Sequence, residues 1–304
     1  MNLPFDQALS RPGVSETVHR VARVPASAAN IGPGFDALAV ALKLYVEVEL
    51  TARPEGLLVV AEGEGAHLPL GPSHLAARVA REVLGHDRVE LHVRSQIPVA
   101  RGLGSSAALA VAAAAAAGAK DPFAYGFAVD GHPENAAASA MGGLVVAAVV
   151  DGAPVARHLR LDPDIRFVAL VPDEQLATSR ARGRLPELVP HKDAAFNLGR
   201  LGLLVAGLAD HTQLLAAAGD DRLHQSQRSS LFPQAPDLLA GLRSAGALTS
   251  CWSGAGPSVL GICSADDAAA VAVSARSLMT RLGLKGEVLV LEADLTGTVV
   301  REIC

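Results

Sequence analysis

Residues 98–117 constrain this chain more than any other stretch. Pro98-Val-Ala-Arg-Gly-Leu-Gly-Ser-Ser-Ala-Ala108 opens as a loop with glycines at 102 and 104, then runs into Leu109–Ala117, which is almost all alanine. Alanine is the strongest helix former among the residues, so the glycine loop delivers the backbone directly into a helix N-terminus. Glycine allows a tight turn and a close approach of backbone to ligand. The first N–H groups of the helix have no partner within it, and the positive end of its dipole faces the loop. That arrangement suits an anion, most often phosphate, and Ser105 and Ser106 add hydroxyls that could serve a phosphate or Mg2+. The same residues also read as a glycine turn in which Ser105 caps a core helix. The pattern has neither the third glycine of a dinucleotide fingerprint nor the Gly-Lys-Ser/Thr of Walker A.

A chain of 304 residues allows one large domain or two of ordinary size. Half the residues are hydrophobic but only 3% are aromatic, so alanine, valine and leucine have to fill the core. A net charge of −5 offers no basic surface for nucleic acid or anionic membrane. Cys251, Cys263 and Cys304 are odd in number and lack metal-ligand spacing, which suits a reducing cytosol and argues against a disulfide framework. A cytoplasmic location is therefore expected. The polar, acid-bearing N-terminus does not read as a signal peptide, and no apolar run reaches the ~18 residues of a spanning helix.

In chain order, residues 1–16 read as a loose leader, and 18–24 alternate as a half-buried strand that Pro25 breaks. The loop Pro25-Ala-Ser-Ala-Ala-Asn-Ile-Gly-Pro-Gly-Phe-Asp36 is rich in breakers and fixes Asn30 and Asp36. These two could equally bond only their own turn. Strands are expected at 37–50, 56–61, 89–93, 144–150, 165–171, 247–252, 258–263, 287–291 and 296–303. Helices are expected at 73–84 with Ser73 as cap, 123–130, 136–141, 194–208, 213–218, 235–244 and 265–282. Asp151-Gly-Ala-Pro154 marks a boundary between domains 1–153 and 154–304. The mixture indicates α/β or α+β in two lobes.

Four polar clusters stand out: Asn30 with Asp36, the glycine–serine loop, His132 with Glu134 and Asn135, and Arg182 with His224 and Arg228. Phosphoryl transfer needs a cradle and a metal for the triphosphate, and groups that hold an acceptor hydroxyl in line. An amino-acid acceptor adds a carboxylate, which arginine pairs bidentately. Its ammonium calls for acid or amide oxygens.

Together these motifs resemble the GHMP small-molecule kinases over about residues 18–302. They are most similar to the members that phosphorylate L-homoserine on the way to threonine. Asn30-Ile-Gly-Pro-Gly-Phe-Asp36 resembles their substrate loop, and 98–108 their ATP phosphate loop. His132-Pro-Glu-Asn135 resembles their His-Pro-Asp-Asn, and Thr178-Ser-Arg-Ala-Arg182 their Thr-x-x-Ala-Arg. Asp221-Arg-Leu-His-Gln-Ser-Gln-Arg228 resembles a segment that supplies a second substrate arginine. Ser253-Gly-Ala-Gly-Pro-Ser258 resembles a third glycine-rich motif that packs beside the phosphate loop.

The resemblance implies a two-lobed α+β fold, with a ribosomal-protein-like N-terminal lobe, a ferredoxin-like C-terminal lobe and the site in the cleft. It implies ATP and Mg2+ as cofactors and a homodimer as the assembly. Pro98, Val99, Ala100, Arg101, Gly102, Leu103, Gly104, Ser105, Ser106 and Ala107 would wrap the triphosphate, and Ser106 and Asp130 would hold the metal. Arg182 and Arg228 would take the acceptor carboxylate. Asn30, Asp36 and Asn135 would take its amino and hydroxyl ends, with His132 lining the pocket. Asn30, Asp36 and Thr178 are the catalytic candidates, with Asp36 orienting the acceptor rather than removing its proton. Asp130 stands where many bacterial members have Glu, His74 where an Asn lies near the adenine, and the 118–131 connection is short. A kinase of another alcohol and a non-catalytic ligand-binding relative remain the competing readings.

Overall fold

The computed structural model describes residues 19–303, so the leader and Cys304 lie outside it. The chain runs β1 (His19–Ala29), β2 (Leu38–Ala52), β3 (Leu57–Gly63), α1 (Leu75–Leu84), β4 (Val89–Ser95), α2 (Ser105–Ala116), α3 (Pro122–Asp130), α4 (Pro133–Met141), β5 (Leu144–Val150) and β6 (Ala153–Leu159). It continues as β7 (Ile165–Pro172), α5 (Thr178–Arg182), α6 (His191–Ala209), α7 (Gln225–Arg228), α8 (Ala235–Ser244), β8 (Thr249–Trp252), β9 (Val259–Ser264), α9 (Ala268–Arg281), β10 (Gly286–Leu291) and β11 (Val299–Glu302). Among the described residues no helix is long and apolar enough to cross a membrane.

Alternation along β2 decides the first layer. Val46, Val48 and Leu50 are buried, while Glu47 and Glu49 face outward and meet basic partners, as in the 3.2 Å pair of Arg94 with Glu49. The first sheet is ordered β11-β1-β2-β4-β3, with β5 beside β2 and β6 beside β5. Among the described residues only the β3–β4 pairing is parallel. Helices α1, α2 and α4 lie against this sheet's apolar face. Helix α2 is buried on nearly every side, with Ala107, Ala108, Ala110 and Ala112–Ala114 wholly inaccessible. A methyl is all that fits between three helices and a sheet. Gly126 of α3 shows how tight that layer is, because a Cβ there would lie 2.7 Å from both Ala136 Cβ and Val111 Cγ2.

The second sheet is ordered β10-β7-β9-β8. Phe167 and Ala169 on β7 face the core shared with α6, while Val168 and Leu170 face α8 and α9. Period-two alternation with both sides apolar is what a strand covered on both faces requires.

Several expectations change. Pro25 does not end its strand; it sits at a register shift between Pro25 and Ala26 inside β1, where its missing N–H is tolerated. Asp151 and Gly152 form the turn of the β5–β6 hairpin, and Ala153 and Pro154 already pair with β5. The crossing to the second sheet falls between Leu159 and Ile165, so a division at 153/154 would cut that hairpin. The two C-terminal strands also part company: β10 joins the second sheet and β11 returns to the first. The helix expected at 213–218 is instead two short 3-10 turns, His211–Gln213 and Ala216–Gly219. His74, not Ser73, is the N-cap of α1.

This packing makes α2 intolerant of volume. Ala112→Leu is expected to destabilise the fold by about 1–3 kcal/mol through overpacking. The same change at the exposed Ala128 should fall within about 0.5 kcal/mol, both read as shifts of the urea midpoint.

Candidate active site

Gly104 caps α2 in the left-handed conformation, with φ 68°, and no side chain bonds to the helix start. Ser105 is thus the first helical residue and not a cap, and the N–H groups of residues 105–107 are left open. A Cβ on Gly104 would stand 2.1 Å from Ser27 Oγ, and one on Gly102 would stand 2.1 Å from the Ser253 carbonyl oxygen. The loop is pinned from three directions. Ser27 N donates to Leu103 O (3.2 Å), Leu176 N to Ala100 O (2.9 Å), and Ser253 Oγ to Gly102 O (2.7 Å). Residues 253–258 therefore pack beside the phosphate loop, as the resemblance implied.

The loop forms one wall of a cavity of about 380 Å3. Pro98, Ala100, Arg101, Gly102, Leu103, Gly104, Ser105 and Ser106 line it, as do Asn30, Asp130, His132, Asn135, Thr178, Arg182 and Arg228. Three of the expected residues are not on this wall. Ala107 is wholly buried and offers only its N–H. Val99 faces a second cavity of about 410 Å3 behind Ser105 and Ser106, shared with Leu109 and His74. Burial lowers the pKa of His74, and its Nδ1 has no partner. Asp36 is the third.

Asp36 is held by Arg182. Its two oxygens lie 2.6 and 3.1 Å from Nη2 and Nη1 of that arginine, with His132 Nδ1 at 4.0 Å. The sequence assigned Asp36 and Arg182 to opposite ends of an acceptor, but the structure joins them in a fork. Asn30 Oδ1 accepts from Asp36 N at 2.8 Å, and both residues have positive φ. The local turn role of Asn30 is therefore real, and it coexists with a place on the cavity wall. Asn135 Oδ1 accepts from Ser27 Oγ at 3.0 Å, which fixes the amide beside the phosphate loop.

Arg228 is 1% exposed. Its Nη1 donates to His224 Nδ1 (3.1 Å) and Gly254 O (3.0 Å), while Nε has no partner. Burial, and then the nearby Arg182, bring its pKa down to about 10, so it stays charged at neutral pH. The Phe35 ring lies 5.4 Å from this guanidinium and 5.5 Å from that of Arg182, a distance suited to cation–π attraction.

Between the loop and the arginines stand two carboxyls. Burial raises Asp130 to about 6, against the attraction of Arg182. It raises Glu134 to about 7, and Glu134 Oε2 is buried without a partner. Helix α3 is short but well terminated, by Asp121 at its start and the left-handed Gly131 at its end. It brings Asp130 to the wall despite the short connection. His132 is the N-cap of α4. Burial and Arg182 lower its pKa, which leaves it neutral at pH 7.

The sequence reading did not assign a role to Glu134, Ser179, Gly254 or Ala255, all of which line the cavity. Glu134 carried a usable signal, being an acid in the first turn of a helix that begins at the site. Ser179 lies inside the 178–182 motif and Gly254 and Ala255 inside the 253–258 motif, and folding brings all three onto the wall.

An open helix N-terminus that faces a buried and a half-buried acid and two arginines across one cleft is the layout of a small-molecule phosphoryl transferase. Residues 73–143 match the GHMP kinases N terminal domain, and residues 195–280 match the GHMP kinases C terminal family. The chain is 45% identical to the homoserine kinase of Rhodococcus opacus, over 79% of this chain and 86% of the relative. It is 38% identical to that of Leifsonia xyli subsp. xyli, over 92% and 91%. The crystal structure of homoserine kinase from Cytophaga hutchinsonii superposes with a TM-score of 0.82 at 25% identity, covering 97% of this chain and all of that one. The chain belongs to the homoserine kinase family of the ATP-dependent GHMP kinases.

Gly104→Ala should weaken binding of a fluorescent ATP analogue by about tenfold or more, since strain and contact of 1–3 kcal/mol fall on the phosphate wall. Gly131→Ala, also left-handed but with nothing within 4 Å of its Cβ position, should leave nucleotide binding unchanged.

Proposed function

We propose that this chain transfers the γ-phosphoryl group of ATP to the side-chain hydroxyl of L-homoserine, giving O-phospho-L-homoserine and ADP. The observation that carries this reading is the shared cavity. It opposes the free N–H groups of residues 105–107 to the guanidinium groups of Arg182 and Arg228, with the buried Glu134 and the half-buried Asp130 on the same wall. The triphosphate lies along residues 98–107, with the nucleoside toward the cavity lined by Val99, His74 and Leu109. Arg228 takes the homoserine carboxylate. Arg182 supports it while itself held by Asp36, which lies off the cavity wall, and the amides of Asn30 and Asn135, which line the cavity, face the ammonium and hydroxyl ends. Neutral His132 and the Thr178 hydroxyl close the wall around the acceptor. A loose, metaphosphate-like transition state asks for alignment and charge more than for a strong base. With both oxygens engaged by Arg182, Asp36 serves alignment.

The residues present suit Mg2+. Glu134 Oε2 is buried and unpartnered, Asp130 and Ser106 line the same cavity, and a hard cation prefers oxygen ligands. Bound there, Mg2+ would neutralise charge developing on the phosphates.

The deciding assay measures ADP release from ATP and Mg2+ with L-homoserine, L-serine, mevalonate or no acceptor. ADP is expected with homoserine alone. Turnover of mevalonate in its place would overturn the acceptor. No turnover from folded protein that still binds homoserine would overturn the kinase reading.

The raised carboxyl pKa values give this site a pH signature. Mg2+ competes with the protons on Asp130 and Glu134, so thermal stabilisation by Mg2+ should be full at pH 8 and nearly absent at pH 5.5. Without cation the sign reverses. The folded protein binds these protons more tightly than the unfolded chain, so their contribution is full below about pH 4, the ordinary carboxylate range, and is lost as pH rises through 6 and 7.

The chain is proposed to act as a homodimer through α6. Ala195, Leu198, Gly199, Gly202, Leu203 and Ala206 are exposed on one side of that helix, and this stripe reads the same in both directions. An antiparallel two-fold contact would set Leu198 against Leu203 of the partner subunit and glycine against glycine, as an isologous interface requires. Light scattering should give twice the 31.1 kDa chain mass, falling to the single mass in Leu198→Glu. A wild-type monomer would overturn the assembly.

A further inference from the structure

We propose that His224 is a positioning residue. It ties the Arg228 guanidinium to the substrate loop, and so sets where the carboxylate end of the acceptor is held relative to the phosphate loop. The inference rests on the reading of Arg228 as the carboxylate partner.

His224 is fully buried and bonds in two directions. Its Nε2 is 2.7 Å from the Gly32 carbonyl oxygen, which can only accept, so Nε2 carries the proton. Its Nδ1 is 3.1 Å from Arg228 Nη1, which can only donate, so Nδ1 carries the lone pair. One neutral tautomer satisfies both. A second proton would turn an N–H toward a guanidinium, and burial opposes it by taking the ring down to about 4.

Neither neighbour can give way. Gly32 has φ 51°, and its Cβ position lies 2.8 Å from Gly219 O, so the loop is already against the 216–219 turn. Phe35 stacks on the imidazole at 5.1 Å with planes 26° apart, and the same ring lies under both arginines. The His224 backbone is fixed in turn by Asp221. That carboxylate accepts from the N–H groups of Leu223 (3.0 Å), His224 (2.8 Å) and Gln225 (2.7 Å), and from Asn197 Nδ2 of α6 (2.6 Å). Arginine is a long chain with several free torsions, and holding it in one geometry costs entropy. His224 and Gly254 O settle that geometry before the acceptor arrives. His224 is not among the residues that line the cavity, so its effect reaches the acceptor through Arg228.

The test is a double-mutant cycle on the full-length enzyme with His224→Asn and Arg228→Lys. Asparagine can keep an acceptor toward Arg228 but loses the link to Gly32. His224→Gln can keep the donor to Gly32 and loses the acceptor, and it carries the same cycle if the first variant does not fold. Each histidine variant is expected to raise the homoserine KM by about tenfold, with kcat changed by less than about threefold. Affinity for a fluorescent ATP analogue should stay within about twofold of wild type. In the Arg228→Lys background the histidine change should add less than about twofold, because the interaction it serves is already gone. A wild-type homoserine KM in both histidine variants overturns the proposal. So does full additivity with Arg228→Lys, or a parallel loss of ATP affinity. If Arg228→Lys itself leaves the homoserine KM unchanged, the carboxylate reading fails instead, and the two failures are told apart.

Discussion

Three N–H groups at the start of α2 are left without a capping side chain, and much of the molecule is arranged to keep them so. An uncapped helix start is ordinarily satisfied by a Ser, Thr, Asp or Asn before it. Here Gly104 takes that position, and its Cβ site is occupied by Ser27 Oγ. Gly102 is likewise filled in by the Ser253 carbonyl, and Gly254 N is bonded to Ala29 O at 2.7 Å. The loop is rigid because other backbone stands where its side chains would be. That leaves its amide donors aimed into the cleft as a fixed feature of the fold, with no reorganisation needed when charge arrives.

Opposite those donors the charges are mixed and only partly matched. Arg182 is forked to Asp36, whereas Arg228 is buried on neutral partners, and among the described residues no basic side chain pairs with the carboxyls of Asp130 on α3 and Glu134 on α4. A buried unpaired charge is expensive, and proteins that keep such groups do so where a ligand supplies the missing partner. The imbalance of the cleft suits the proposed function, with anionic groups at the amides and arginines and cationic ones at the acids.

Much of this was legible in the sequence because it is local. The glycine loop, the alanine helix, the breaker-rich turn from Asn30 to Asp36 and the start of α4 at His132 are each written in a few consecutive residues. What was not legible depends on tertiary pairing. Nothing in the Asp151-Gly-Ala-Pro154 turn distinguishes a hairpin from a linker, since both need the same breakers. Pro25 looked like a stop because the bulge that accommodates it exists only when β2 lies alongside. The fork between Asp36 and Arg182 joins residues 146 positions apart, and the resemblance, which carries roles over one motif at a time, placed them at separate ends of the acceptor. His224 stood in a polar cluster with Arg182 and Arg228, but its part there was not legible until Gly32 and Arg228 appeared on its two nitrogens.

The return of β11 to the first sheet bears on how the polypeptide matures. Its pairing with β1 joins Arg20 to Glu302, and Ile303 N bonds to His19 O, so the layer behind α2 draws on both ends of the described chain. During synthesis the phosphate loop emerges long before the strand that borders its supporting sheet. Contacts of such sequence separation form late and slowly. The nascent chain would expose the open edge of β1 until β11 itself has been made and can pair with it. Arg20 and Arg23 on β1 place charge along that edge, one of the devices by which strands discourage wrong partners while they wait.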